Sequence, residues 1–258
     1  VPAVGARAVA WVGLDGPDAA LGLLRHLEAA LGDSVETFEL VPARALELVL
    51  RHIPGTRAPL SGQPPWHVLV EAVVPMAATS PEKALYEALR SALETGLAAD
   101  AVIAASEAQA EAFWRLRDGI SEAEKQEGPA AKHDISVPVA DMPRFMVEAA
   151  REVEARFAGS RVVAFGHLGD GNVHFNVQSP PGASADWLEQ EAPAVTTLVH
   201  DLVTEAGGSI SAEHGIGQMK LAELTRLGGI ARLQAMRAIK RALDPKGIMN
   251  PGKLVPAA

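Results

Sequence analysis

Residues 161–177 read Arg161-Val-Val-Ala-Phe-Gly-His167-Leu-Gly-Asp170-Gly171-Asn172-Val-His174-Phe-Asn176-Val177. Two runs of β-branched and aromatic residues flank Asp170-Gly171, a pair that tolerates the positive φ angles of a two-residue turn, so the stretch predicts an antiparallel hairpin with strands over 161–167 and 172–177. With 170 and 171 as the loop, 169 opposes 172, 168 opposes 173 and His167 opposes His174. The two imidazoles are then direct cross-strand neighbours on one face, with Cβ atoms roughly 4.5–5.5 Å apart. Asn176 shares that face because side chains alternate with period two. Two imidazoles so placed can share one divalent ion.

Working outward, strands are expected over 4–14, 35–41, 66–74 (broken by Pro75), 101–105 and 133–139. Helices are expected over 17–31, from Pro42 with Leu46, Val49 and Leu50 on one face, and from Ser80-Pro81 to Leu97. Ser106 and Gln109 have capping-box spacing and open a helix to Lys125. Asp141 caps another helix to Phe157, and a further one spans 185–206. Residues 54–65 form a loop, 209–212 a short strand, and 218–243 are mostly helical. This alternation matches the split βαβ units of ferredoxin-like α+β domains. The expected fold is α+β: split βαβ units share one extended antiparallel sheet with helices packed on one side, plus a C-terminal helical segment, all in one domain over 1–258.

Composition removes whole classes of function. The chain has 258 residues, of which 48% are hydrophobic and 21% charged, the balance of a globular protein rather than a disordered one. It has no cysteine, which excludes disulfides, thiolate metal sites and thiol nucleophiles, so any metal is held by His, Asp, Glu or backbone oxygen. A net charge of −9 argues against a nucleic-acid backbone, and 4% aromatics against base-stacking platforms. No stretch approaches the roughly 20 apolar residues of a membrane span. The chain opens on Val1, which predicts an excised or processed piece, and a cytoplasmic location is expected. No GxGxxG follows a predicted strand and no GxxxxGK[ST] occurs, so nothing here cradles a nucleotide phosphate.

A second polar cluster is Ser209-Ile-Ser-Ala-Glu213-His214-Gly215-Ile-Gly217. Glu213 completes a two-His, one-carboxylate set with open positions, suited to zinc, manganese or iron. His214 is either a fourth ligand or a general base at neutral pH. If the chain is extended there, Glu213 and His214 point to opposite sides unless the glycines bend it. Arg117 and Ser121 are four apart on one helical face, where guanidinium and hydroxyl either share a carboxylate or stay solvated. Lys132, and the turn-rich tail holding Asn250, carry no mechanism from composition. His26, His52, His67 and His200 are expected to be structural or solvated.

Together these strings resemble the C-terminal domain of FAD-linked oxidases, the flavoprotein group that includes the D-2-hydroxyglutarate and D-lactate dehydrogenases and glycolate oxidase. The resemblance is carried by 167–176, by Ser211-Ala-Glu213-His214-Gly-Ile-Gly217, by Leu116-Arg117 with Ser121, by Lys132-His-Asp134, and by Asp244-Pro-Lys-Gly-Ile-Met-Asn250-Pro-Gly-Lys253. It implies that His167, His174 and Glu213 hold one divalent metal, commonly zinc, and that His214 is the base taking the hydroxyl proton as hydride leaves for the flavin. It implies substrate contacts from Arg117, Ser121, Lys132 and Asn176, a cofactor contact from Asn250, and a homodimer as a plausible assembly. Ser121 stands where threonine is usual, and His133 where an aromatic is frequent; both bear on substrate identity more than on reaction type. FAD is expected on an N-terminal domain outside this chain, leaving the substrate- and metal-binding half of a 2-hydroxy-acid dehydrogenase. The residues alone also permit a metal-dependent hydrolase or a non-catalytic assembly module of a flavoprotein complex.

Overall fold

The computed structural model of the chain describes residues 6–74 and 80–255, so Pro75 lies outside the described residues. The strands are β1 (Ala6–Leu14), β2 (Val35–Pro42), β3 (Trp66–Val74), β4 (Asp100–Ile103), β5 (Ala130–Ser136), β6 (Arg161–His167) and β7 (Asn172–Gln178). They form one sheet among the described residues, in the order β4-β1-β3-β2-β6-β7-β5, every neighbouring pair antiparallel. The helices are α1 (Pro17–Leu31), α2 (Ala43–His52), α3 (Pro81–Glu94), α4 (Glu107–Asp118), α5 (Ile120–Lys125), α6 (Met142–Arg156), α7 (Trp187–Gln190), α8 (Ala192–Glu205), α9 (Leu221–Leu227) and α10 (Ile230–Leu243).

The sheet is two split βαβ units joined edge to edge. The order β4-β1-β3-β2 is that of a ferredoxin-like unit, with α2 inserted before β3. The second unit runs β6-β7-β5, and the place of its fourth strand beside β5 is taken by one bridge, Ser136 to Ser209. The expected strand over 209–212 therefore shrinks to a single pairing, and the chain beyond it is free to form a loop. The two units meet through Glu39–His167 and Leu40–Gly166.

Helices cover both faces, which corrects the expectation of one-sided packing. On one face α1, α3, α6 and α8 bury Leu23, Leu27, Leu85, Met142, Phe145, Val195 and Val199 against Ala10, Val12, Leu40, Val70, Phe175 and their neighbours. On the other, α2, α4 and α5 bury Val49, Phe113, Leu116 and Ile120 against Trp11, Leu69, Val163 and Phe165. Alternation explains the pattern: Ala8, Ala10 and Val12 face one core while Val9 and Trp11 face the other. The helix expected to run to Lys125 divides at Gly119, and the one expected from 185 divides at Glu191. The helix opening at Pro81 stops at Glu94, short of Leu97, and Ser80 makes no capping bond. The Ser106 cap forms as expected, accepting from the Gln109 N–H at 3.3 Å. Asp141 precedes α6 but makes no side-chain cap bond.

Candidate functional site

The hairpin register differs from the expected one by two residues. Phe165, not His167, is directly opposite His174, and His167 is opposite Asn172. The turn is accordingly longer and runs through Leu168, Gly169, Asp170 and Gly171. A shift of two keeps every side chain on its face, whereas a shift of one would reverse it. His167 and His174 thus remain on one face as diagonal neighbours, ring centroids 5.8 Å apart.

That face is polar where α2, α4 and α5 leave it open. Glu39 from β2, His167 from β6, His174 and Asn176 from β7, and Lys132 and Asp134 from β5 occupy alternate positions, in register across four strands. With Arg117 and Ser121 from the helices and Glu213 and His214 from the loop, most of these residues line a cleft of about 340 Å³. Asn250 does not line it; it sits in the C-terminal turn with φ 47°, its carbonyl accepting from Lys253 N at 3.2 Å. His133, next to Lys132 in sequence, points its ring to the opposite face, its Nδ1–H donating to Phe175 O (2.7 Å) and its Nε2 accepting from the Thr196 hydroxyl (3.1 Å).

Ligand atoms of His167, His174 and Glu213 all lie within 4.8 Å of one another. His167 Nε2 is 3.2 Å from Glu213 Oε1, close to the roughly 3.3 Å that two ligands of one tetrahedral zinc keep at bonds of about 2.0–2.1 Å. The other ring nitrogen, Nδ1, is 2.7 Å from Glu39 Oε1. A carboxylate on the second nitrogen of an imidazole ligand fixes its tautomer and orientation. The donor set therefore fits a divalent cation. Asn172 and Ser211, two residues before His174 and Glu213, keep buried side-chain polar atoms without hydrogen-bond partners among the described residues.

Electrostatics differ between the two imidazoles. The Glu39 hydrogen bond holds His167 above the usual histidine range despite its burial, while burial pushes His174 below it. Burial pushes Glu39 up, but the bond from His167 and the charges of Arg117 and His167 outweigh it and leave the carboxyl low. Glu124 is fully buried and shifted up by desolvation; it accepts from Asn176 Nδ2 (2.7 Å) and Gln178 Nε2 (3.1 Å), with Lys132 Nζ at 3.7 Å.

Glu213 and His214 stand on a loop, not a strand, and the reason is Asp134. Its buried carboxylate accepts N–H bonds from Ala212 (3.2 Å), Glu213 (3.0 Å) and His214 (2.8 Å). The backbone wraps around one carboxylate, and Gly215 (φ 70°) turns it away again, so both side chains reach the cleft. His214 lies 6.5 Å from the His174 ring. Asp134, Glu213 and His214 also bring ligand atoms within 4.8 Å, but Asp134 is already engaged by the three amides. Glu39 and Glu124 had no role in the sequence reading, and Asp134 appeared only as part of a motif. A lone charge inside the apolar run Phe38-Glu39-Leu40-Val41 was the available signal for Glu39. The other histidines are structural as expected: His26 reaches Ala88 O, His52 Glu127, His67 Trp11 and His200 Glu223.

The family model of FAD linked oxidases, C-terminal domain, matches residues 5–254. The D-2-hydroxyglutarate dehydrogenase of Xanthomonas citri pv. viticola is 40% identical over 220 residues, covering 85% of this chain and 46% of that protein. The mitochondrial D-2-hydroxyglutarate dehydrogenase of Arabidopsis thaliana is 35% identical over 235 residues, covering 91% and 40%. The chain thus spans less than half the length of these relatives. Among solved structures, p-cresol methylhydroxylase with substrate bound superposes with a TM-score of 0.67 at 10% identity, over 98% of this chain and 53% of that one, a likeness of fold. No helix among the described residues is long and apolar enough to cross a membrane.

Proposed function

On the premise that the chain belongs to the family of FAD-linked oxidase C-terminal domains, we propose that it is the substrate- and metal-binding part of an FAD-dependent dehydrogenase that oxidises a D-2-hydroxy acid to the 2-oxo acid. The observation that carries this reading is the grouping of His167, His174 and Glu213 beside His214 and a row of cationic and amide side chains in one cleft. The printed names of the relatives point to 2-hydroxyglutarate as the substrate to test first. The cytoplasmic location and the homodimer rest on the sequence reading and the resemblance; several relatives carry mitochondrial names.

Each side chain has a task in this reading. His167, His174 and Glu213 hold the cation. Arg117 and Lys132 supply positive charge, and Ser121 and Asn176 hydrogen bonds, for the substrate's carboxylates. When bound, the cation supplies Lewis-acid polarisation of a hydroxyl, and the flavin carried outside this chain supplies the two-electron sink. His214 accepts the hydroxyl proton at a ring nitrogen while the C2 hydrogen leaves with its electron pair. Proton and hydride together account for the two hydrogens lost by the alcohol.

Elemental analysis of the purified chain is expected to give one zinc per chain, and His174→Ala to lower that content sharply. In the full-length enzyme His214→Asn is expected to keep the metal while kcat falls by roughly 10²–10⁴, the range for a lost general base. Glu213→Gln is expected to lose metal and activity together. Release of metal by His214→Asn would make His214 a ligand, and an unchanged kcat would end the mechanism.

A further inference from the structure

Glu39 is the charge that neither the fold nor the mechanism above requires. It lies 1% exposed in the middle of β2, between Phe38 and Leu40, where an ionised carboxylate costs several kcal/mol unless its partners compensate. The register across the seam of the sheet sets it opposite His167, and its two oxygens divide between two residues of the cleft. Oε1 is 2.7 Å from His167 Nδ1, and Oε2 is 3.1 Å from Arg117 Nε in an ion pair not aligned for a hydrogen bond. The guanidinium in turn stacks over the Phe165 ring at 5.4 Å and brings one terminal nitrogen to 3.4 Å from His167 Nε2.

We propose that Glu39 is the positioning carboxylate of this site: one buried side chain holds His167 in the Nδ1–H tautomer, leaving Nε2 for the cation, and fixes the guanidinium of Arg117 at the same cleft. The inference rests on the reading of His167, His174 and Glu213 as metal ligands. A carboxylate accepts and cannot donate, so with Oε1 at 2.7 Å from Nδ1 it admits one tautomer of the neutral His167, while Oε2 holds Arg117 by charge. An amide in its place can donate to Nδ1, which admits the other tautomer, and it carries no charge, so Arg117 loses this ion pair.

The test uses the purified chain and zinc alone. Proton–nitrogen NMR of the metal-free wild type at alkaline pH, where the ring is neutral, is expected to find the His167 proton on Nδ1. Competition with a chromogenic chelator is expected to show zinc bound about 10–100-fold more weakly by Glu39→Gln, the usual effect of losing such a partner, with part of the loss recovered by Glu39→Asp. Glu127→Gln, a carboxylate change remote from the ligands, is expected to leave zinc affinity unchanged. An Nε2–H tautomer in the wild type, or wild-type zinc affinity in Glu39→Gln, overturns the proposal. If the wild type takes up no zinc, the metal reading falls while the tautomer still decides the role of Glu39. If Glu39→Gln does not fold, the wild-type tautomer decides it likewise.

Discussion

An imidazole accepts a hydrogen bond only while it stays neutral, and burial keeps two of these rings neutral well below the ordinary histidine range. His67 is pushed down to about 4 by burial; its Nδ1 accepts from the Trp11 indole at 3.1 Å. His133 is likewise pushed down to about 4 by burial between β5 and α8. A histidine with a lowered native pKa binds its proton more readily unfolded, so its contribution is complete above the unfolded value of about 6.5 and is lost as pH falls from there towards 4. Each shift corresponds to about 3 kcal/mol. Urea unfolding is therefore expected to show stability dropping between about pH 7 and pH 5, before the carboxylates titrate. His67→Gln, which keeps an acceptor for Trp11 and removes the titration, is expected to flatten part of that slope. An unchanged slope would count against a neutral His67. At this scale the sequence displayed the candidate ligands because histidines near glycines stand out. It hid Glu39, Glu124 and Asp134, because what makes a carboxylate structural here is its burial beneath other polar residues, set by contacts from remote strands.

The hairpin shows where element-level reading succeeds and where it slips. Its strands and face were legible from alternation, which is a local property. Its register was not, because the turn closes through a contact outside the hairpin: the Val137 N–H donates to Gly171 O at 3.0 Å. Gly171 has φ 74°, and a Cβ there would lie 2.1 Å from Val137 O. Gly171→Ala is thus expected to cost at least about 1 kcal/mol from backbone conformation alone, with the clash adding to it. Gly169, in the same turn, has nothing within 4 Å of its Cβ position, so Gly169→Ala is expected to stay within about 0.5 kcal/mol of wild type. Thermal unfolding of the two variants separates a turn strained at one residue from one that is generally tolerant, and equal Tm values would refute the assignment. The two-sided helix packing was missed for a related reason. The apolar stripe of α2 shows that a helix packs, while the face of the sheet it packs on is fixed by the chain path around the edge.

Stability is distributed unevenly over the whole molecule, and the candidate site sits at the boundary. The two faces of the sheet carry extensive cores, whereas the C-terminal segment has a separate one of Ile210, Ile216, Leu224 and Leu233. The 14-residue α10 buries Leu233 alone and leaves Ile239 and Leu243 exposed. A helix so poorly anchored is marginal, and such segments open at lower free energy than the sheet. This segment is tied back by polar contacts close to the cleft: the three amides on Asp134, Lys220 Nζ on Asp134 O at 3.0 Å, and His200 with Glu223 at 2.9 Å. Glu213 lies on the loop that enters the segment, so a cation shared with His167 and His174 would add a tie between segment and sheet. Binding to the closed form alone stabilises it by about 2.7 kcal/mol at a hundredfold excess over Kd, roughly a hundredfold slower opening-limited exchange. Hydrogen exchange of the metal-free chain is expected to be fast in α9 and α10 and slow in β1 and β3. Zinc is expected to slow α9 and α10 while β1 and β3 change least, and His174→Ala to abolish the effect. Exchange in α10 as slow as in β1, or slowing by zinc that survives His174→Ala, would show that the segment is not held through this site.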